Sequence, residues 1–312
     1  MINIIQNTIG SLRRSGGGGD TTSFITTWRT TTASETITIP TTGTGYNYAI
    51  STSDGQSFSG VTGSQAIIFT SAGDYDVSIS GDFPRIYFNN AGDKAKIIDI
   101  KQWGNIAWSS FEKSFYGCSN LVGTVTDTPD LSGVTNLSTS FRDCTLFNGD
   151  LSSWGVSTIT DTSLMLFSAK AFNSDISSWN VSSITTMRYM LYQAESFNQN
   201  INSWDVSSVL SMDNMLARTY VFDYSLEDWD ISGVTNLFRL LHNCTLSVVN
   251  YDSILIGWEA TLQAAYPSGT GYTPTITISF GNSEYTGGGA VATARASLIS
   301  NFGWTITDGG IA

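Results

Sequence analysis

The sequence has little charge, one histidine, three cysteines and five prolines. Charged residues fill 13% of its 312 positions, about half of the roughly 25% found in ordinary soluble domains. The net charge of −12 disfavours nucleic-acid binding, because an acidic surface repels phosphate. A single histidine and the absence of a CxxC pair leave almost no basis for a zinc site. An odd number of cysteines excludes a complete intramolecular disulfide framework.

Long apolar runs are also missing. No stretch reaches the roughly 18 apolar residues of a membrane-spanning helix, so no membrane span is predicted. The first residues do not resemble a secretion signal, because Arg13 and Arg14 follow the apolar positions instead of preceding them. Those apolar positions lie mostly at helical spacing before a glycine tether, which favours an anchoring arm, with a frayed tail as the alternative. The predicted arm residues are Ile2, Ile4, Ile5, Ile9 and Leu12.

Aromatic residues are plentiful at 12%, which disfavours a disordered chain, and many of them repeat with a period of 25 residues. Tryptophan recurs four times at this spacing, and a phenylalanine stands seven positions before each copy. Further copies lie N-terminal to these four, with shifts of one residue in the spacing, so about six units span residues 97–248. The predicted structural core of the repeat is Trp103, Trp154, Trp179, Trp204, Trp229, Phe147, Phe172, Phe197 and Phe222.

Each unit predicts a short extended segment around its tryptophan, then a turn and one or two helical turns. Met187, Met190, Leu191 and Ala194 would share one face of such a helical turn. A single unit cannot bury both of its faces, so neighbouring units must stack. We therefore predict an α+β repeat protein, a leucine-rich-repeat-like solenoid of about six 25-residue units.

Equivalent positions of stacked units should lie about 4.8 Å apart, where like charges would repel. This spacing explains part of the low charge. We expect Asn148, Asn173 and Asn198 to form an amide ladder that satisfies inward backbone groups. In another column cysteine alternates with alanine and threonine, so the three cysteines are expected to be buried free thiols.

The repeated pattern W-x-V-S-S-V/I-T-x-M-x-x-M-L-x-x-A-x-x-F-N-x-D-I-S-S-W resembles the BspA-like leucine-rich-repeat surface proteins, a mycoplasma-lipoprotein-type repeat. The resemblance covers about half of the chain. It implies a right-handed solenoid and a role in surface attachment, and it carries no catalytic residues across. The sequence departs from the pattern at Pro129, at Thr162 and over residues 217–224, where irregular units are expected.

Four segments are predicted: an anchoring arm and Gly linker (1–20), a β-sandwich (21–96), the repeats (97–248) and a C-terminal α/β cap (249–312). Alternating residues predict strands over 36–40, 46–50, 66–69 and 75–80. Residues 69–79 resemble a hairpin of PKD-type immunoglobulin-like modules, with a generic capping sheet as the alternative. In the last segment, helices are predicted over 251–265 and 290–300, and strands over 275–280 and 304–307.

No set of residues predicts chemistry. His242 occupies a structural column of the repeat, where a packing or surface role is expected. No serine or cysteine can be paired with a base. The tightest acidic group, Glu227, Asp228 and Asp230, is disfavoured as the carboxylate pair of a glycosidase. A bound calcium ion is an open alternative because oxygen ligands are abundant, although the sequence has no EF-hand spacing. We therefore predict that the protein is not an enzyme, with no catalytic residue, no cofactor and no metal ligand.

Binding is the remaining class of function. The tryptophan column could stack on sugars, but its recurrence at one phase favours core packing. Residues that differ between units at outward positions are better candidates for a binding face. The predicted face is Lys170, Arg188, Tyr189, Gln193, Glu195, Gln199 and Asn214.

Two settings fit such a protein. The first is the exterior of a bacteriophage virion, as a fibre, spike or decoration protein. Its arm would dock on other virion proteins, and its repeats would contact a host surface protein or glycan. The alternative is a bacterial cell-surface adhesin, and the lack of an export signal favours the virion. A homo-oligomer, such as a trimer, is a further expectation, and nucleic acid is not an expected partner.

Overall fold

The computed structural model describes residues 20–312. The predicted anchoring arm, residues 2–12, lies outside the described residues. Seven strands come first: β1 (Phe24–Thr30), β2 (Glu35–Ile39), β3 (Asn47–Thr52), β4 (Ser57–Val61), β5 (Gln65–Phe69), β6 (Gly73–Asp82) and β7 (Ile97–Gln102). After the repeats come α1 (Val248–Ala265), a 3₁₀ turn (Pro267–Gly269), β8 (Thr277–Ser279), β9 (Glu284–Tyr285), α2 (Gly289–Ser300), β10 (Thr305–Thr307) and β11 (Gly310–Ile311).

The N-terminal strands form two antiparallel sheets. Five strands pair in the order β4-β3-β6-β1-β7, and β2 pairs with β5. Alternation of buried and more exposed residues places Ile37 and Ile39 of β2, and Val77 and Ile79 of β6, in one hydrophobic core. The strands predicted over 36–40, 46–50, 66–69 and 75–80 are confirmed as β2, β3, β5 and β6.

The predicted α+β leucine-rich-repeat-like solenoid, capped by a β-sandwich and an α/β unit, is wrong as a description of the fold. Residues 103–247 contain no helix and no strand. The expected parallel sheet is reduced to isolated bridges of one residue per unit, such as Asp161 to Thr186 and Thr186 to Ser211. Most regular structure in residues 20–312 is instead antiparallel sheet, and the two α-helices follow the repeats.

The helical turn predicted around Met187 to Ala194 fails because of the backbone conformation. Two residues of the unit, Tyr189 (φ 55°) and Gln193 (φ 59°), adopt the left-handed region, and the neighbouring units repeat both positions. A left-handed residue interrupts a right-handed helix. The result is a run of tight turns in which Met190 and Ala194 donate to carbonyls three residues earlier.

Backbone hydrogen bonds between units take the place of the helix and the sheet. At each of the five junctions from residue 111 to residue 242, four alternate N–H groups donate to carbonyls of the following unit at 2.8–3.3 Å. Met187, Tyr189, Leu191 and Gln193 are the donors of one such set. All of these bonds point toward the C-terminal end of the stack. The final unit therefore presents its own N–H groups to the C-terminal segment.

Two aromatic columns fill the core of the stack. The phenylalanine rings of neighbouring units lie 6.0–6.3 Å apart and within 7° of parallel. From Trp179 onward, each tryptophan of the column donates its indole N–H to a carbonyl of the preceding unit at 2.7–3.0 Å. The donor–acceptor pairs are Trp179–Leu151, Trp204–Ile176, Trp229–Ile201 and Trp258–Leu226. Trp258 belongs to α1, so the C-terminal helix continues the ladder of the repeats.

The predicted asparagine ladder is present, on the outside of the stack. The side-chain oxygen of Asn148 accepts the backbone N–H of Asn173 at 2.7 Å, and Asn173 accepts that of Asn198 at 2.9 Å. Asp223 and Ser247 continue the same series. These bonds are exposed, and the expectation of inward bonds is wrong.

The C-terminal segment contains the two expected helices. Those predicted over 251–265 and 290–300 are confirmed as α1 and α2, and the expected strands appear in shorter form as β8 and β10. β8 and β10 form a parallel pair, as do β9 and β11. Tyr251, Leu255 and Leu262 of α1 are fully buried, and α1 contacts α2 and β9.

We expect Trp204→Phe to destabilise the protein more than Trp154→Phe. Both indoles are buried, at 2% and 3% exposure, and both substitutions remove the same atoms. The Trp204 indole N–H donates to the Ile176 carbonyl, which would keep only its backbone bond from Trp179 after the substitution. The Trp154 indole N–H has no partner within residues 20–312. The difference in the free energy of unfolding should be about 0.5–1.5 kcal/mol, the net contribution of one hydrogen bond, measured by urea denaturation. Equal losses in the two variants would contradict a stabilising role for the indole ladder.

Candidate binding face

The structure separates the residues of the predicted binding face. Lys170 and Glu195 form an ion pair with each other at 2.8 Å. Arg188 pairs with Asp213 of the next unit at 2.6 Å. These three side chains join adjacent units at the surface, so part of their charge is already neutralised.

The remaining polar members also bond within the stack. Gln193 accepts a hydrogen bond from Ser168 at 3.2 Å. Gln199 donates to the carbonyl and side-chain oxygens of Asn173, each at 2.9 Å. Asn214 is only 5% exposed, so it offers almost no surface to a partner. Tyr189 is the one member that joins an aromatic cluster.

That cluster is a row of half-buried side chains from successive units: Tyr116, Arg142, Phe167, Tyr189 and Tyr192, called here the aromatic–arginine face. The Arg142 guanidinium lies between two rings, 4.9 Å from the centre of Tyr116 and 4.7 Å from that of Phe167. Phe167 stacks on Tyr192 at 4.7 Å, and Tyr189 lies 5.5 Å from Tyr192.

The backbone of the repeat creates this row. Tyr116, Arg142, Phe167 and Tyr192 occupy equivalent positions between the two left-handed residues of their turns. Inter-unit hydrogen bonds hold successive turns in register, so equivalent side chains stack. Tyr189 occupies one of the left-handed positions itself. The backbone thus determines that the side chains at this position of the repeat form a row, and the sequence determines which side chain each unit contributes. Most units contribute an aromatic ring or an arginine.

The face suits binding better than catalysis. Tyrosine and arginine are enriched among residues that carry most of the energy of protein interfaces. Stacking has already restricted these side chains, so less conformational entropy is lost on binding. Arg142, whose Nε lies 3.6 Å from an Asp143 carboxylate oxygen, places one guanidinium group in this face of a chain of net charge −12. A partner with apolar or aromatic surface and some negative charge matches this chemistry.

Sequence reasoning missed four of the five residues of the face. The signal was present, because the column of His242 contains Phe167 and Tyr192, which are aromatic at matching positions. Spacing alone did not show whether that column faces the core or the solvent. The backbone turn decides this and leaves each ring half-buried.

The aromatic columns predicted as core lie inside the molecule. All nine tryptophan and phenylalanine residues named for that role are at most 4% exposed. Their rings are therefore not accessible for stacking on sugars. The three cysteines are fully buried and unpaired, and burial raises the pKa of each thiol.

His242 lies beside Ser279, with 3.3 Å between the imidazole Nδ1 and the hydroxyl oxygen. Within residues 20–312 no carboxylate bonds to the imidazole, so the orienting group of a catalytic triad is missing there. Burial, Arg239 and Arg218 lower the pKa of His242. The part of the chain described here also contains no group of three or more histidine, cysteine or acidic residues placed to hold a metal ion.

Comparison with known proteins gives one match. Residues 85–193, 109–226 and 179–253 match a family described as "Mycoplasma protein of unknown function, DUF285". Together these ranges cover more than half of the chain. The chain belongs to this family. DUF285 covers the stretch in which the mycoplasma-type repeat was predicted, and it is consistent with a mycoplasma-type surface repeat.

The rest of the comparison adds no relative. No curated protein and no solved structure matches the chain. The DUF285 match begins at residue 85, so it does not test the PKD-type resemblance of the N-terminal sheets. In residues 20–312, no helix combines the length and the apolar character that crossing a bilayer requires.

We expect the three thiols to be inert in the folded protein. Their raised pKa keeps them protonated at pH 8, and burial blocks access to a reagent. Ellman's reagent should therefore label no thiol in native buffer and all three in urea. Rapid labelling of any thiol before unfolding would contradict this packing.

Proposed function

We propose that the protein is a non-enzymatic attachment protein that contacts its partner through the aromatic–arginine face. The main support for this proposal is the continuous stack of Tyr116, Arg142, Phe167 and Tyr192 across four units, with Tyr189 beside it. Packing of the core does not require this row of half-buried rings with a guanidinium group between two of them. Membership of the DUF285 family supports a surface role through the mycoplasma-type repeat.

The proposed partner is a host surface protein or a glycan. Half-buried rings offer flat apolar surface, and Arg142 offers hydrogen-bond donors between them. The spacing of the row follows the repeat, so a partner lying along the stack would meet several rings at once. An extended partner therefore gains more from this face than a compact one.

The proposed setting is the exterior of a virion, with the bacterial cell surface as the alternative. The virion proposal depends on the predicted arm, Ile2, Ile4, Ile5, Ile9 and Leu12. Oligomerisation through this arm stays a prediction. We also propose that the N-terminal module is related to PKD-type immunoglobulin-like modules, which its two antiparallel sheets support.

We expect Tyr192→Ala to weaken binding to intact cells by about tenfold or more. The substitution removes the ring at the centre of the face, and interface residues of this type often carry such a share of the binding energy. Fluorescently labelled protein would be titrated onto bacterial and animal cells, and saturable binding would be measured by flow cytometry. Tyr220→Ala is the matched control, because Tyr220 is 53% exposed and lies outside the face. Equal losses in both variants, or no loss in Tyr192→Ala, would contradict the proposal.

The setting has a separate test. Mass spectrometry of purified phage particles from the source culture should detect this chain together with capsid proteins. Absence from the particles, with presence in a bacterial envelope fraction, would overturn the virion proposal in favour of the adhesin.

A further inference from the structure

The C-terminal end of the stack contains a cleft. It lies between the last unit and the strand pair β8–β10, with a volume of about 290 Å³. Its lining residues are Phe238, Arg239, His242, Thr277, Ile278, Ser279 and Thr307. A smaller cleft of about 220 Å³ adjoins it along residues 235–238 and 275–277. The larger cleft is close to the lower limit of roughly 300 Å³ for small-molecule sites.

Backbone donors in this cleft lack the partners that they have in every earlier unit. In the final unit, the Leu241 N–H donates to the Ser279 carbonyl of β8 at 3.1 Å. The equivalent groups of Leu237 and Arg239 have no acceptor within residues 20–312. β8 therefore accepts a hydrogen bond from this last set of donors at one point only, through the Ser279 carbonyl. Unpaired N–H groups of this kind favour a bound anion.

The side chains add positive charge at the same place. Of the seven arginines in residues 20–312, five form ion pairs and two do not. The two without a pair are Arg218, whose guanidinium lies 5.6 Å from the centre of the Tyr192 ring, and Arg239, which lines the cleft together with His242. Burial lowers the pKa of His242, and the charges of Arg239 and Arg218 lower it further. The residues of β8 and β10 in the cleft, Thr277 to Ser279 and Thr307, contribute no titratable group.

The remaining lining is suited to a small polyhydroxylated ring. Phe238 is 43% exposed, and the Arg239 guanidinium lies 5.0 Å from its ring centre. Thr277, Ser279 and Thr307 supply hydroxyl groups that both donate and accept hydrogen bonds. A flat aromatic surface, neutral hydroxyls and a cationic end together match a sugar that carries one carboxylate.

We propose that this cleft binds an acidic monosaccharide, with the carboxylate at Arg239 and His242 and the sugar ring against Phe238. The site is separate from the aromatic–arginine face, and this proposal goes beyond the attachment function proposed for that face. It assigns a ligand class to the only histidine of the chain.

The single histidine makes the proposal directly measurable, because untagged protein has one set of imidazole signals in its NMR spectrum. A carboxylate bound beside His242 stabilises the imidazolium and should raise the midpoint of its titration by about one pH unit. The probe is galacturonate, compared with galactose, which has a hydroxymethyl group in place of the carboxylate. Galactose should leave the midpoint unchanged. A carboxylic acid stays ionised above a pH of about 5, so the probe keeps its charge over the range that matters.

The sign of the pH dependence follows from the same linkage. Binding to the protonated histidine raises its pKa, so the affinity for galacturonate must rise as the pH falls from 7.5 to 5.5. We expect an increase of at least about threefold, measured by titrating the imidazole shifts with the probe. His242→Gln should abolish this pH dependence, with binding followed through backbone amide shifts.

Arg239→Gln tests the site itself. The substitution removes the unpaired guanidinium and should weaken galacturonate binding by about tenfold or more. It should also raise the pKa of His242 in the free protein, because one repelling charge is lost. Arg29→Gln is the matched control, since Arg29 is exposed in the N-terminal sheet and paired with Asp74. It should change neither quantity.

Three results would overturn the proposal. Galactose binding as tightly as galacturonate would exclude recognition of the carboxylate. Acetate binding as tightly as galacturonate would exclude recognition of the sugar ring. No effect of galacturonate on His242 would exclude the site. Loss of cell binding in Tyr192→Ala does not enter this test, so failure of the cleft and failure of the aromatic–arginine face are distinguished.

Discussion

Every regular unit holds its neighbour through backbone N–H groups that point the same way along the stack. Four such bonds at each junction determine the register of all side chains between units. These bonds require alternate N–H groups to point outward from the turn. The two left-handed residues of each unit allow this, because they prevent the backbone from continuing as a helix. A continuous helix would have used the same N–H groups internally and removed these four bonds from each junction.

The side-chain columns depend on this register. The phenylalanine rings stack nearly parallel, and the indole ladder passes from one unit to the next until α1 supplies its last member, Trp258. Near the start of the stack, Trp103, Trp108 and Trp154 have indole N–H groups without partners in residues 20–312. These residues lie around the unit in which Pro129 replaces tryptophan. The indole ladder begins only after this irregular unit, with Trp179.

The direction of the bonds also explains why the two ends of the stack differ. The first unit presents carbonyls, and the backbone N–H groups of Phe88 and Asn90 donate to Ser114 and Tyr116 there. The last unit presents N–H groups, which β8 satisfies incompletely. The two arginines without an ion pair, Arg218 and Arg239, belong to the last two units, at the C-terminal end of the stack. Between the ends, Arg142 and the aromatic rings lie on the turns. The two proposed binding sites are therefore products of one backbone arrangement.

The sequence by itself determined the period, the core columns, the asparagine ladder and the positions of α1 and α2. Each of these follows from side-chain hydrophobicity or hydrogen-bonding capacity at a fixed spacing, which is written in the sequence. It did not determine the fold class. Met187, Met190 and Leu191 have the spacing of a helix face, and only the left-handed φ of Tyr189 and Gln193 shows that no helix forms. Tertiary structure likewise decided that Asn214 is buried and that Phe167 and Tyr192 reach the surface. The physical reason is that non-glycine residues adopt left-handed conformations only when contacts with neighbouring units offset the strain, and no local pattern records those contacts.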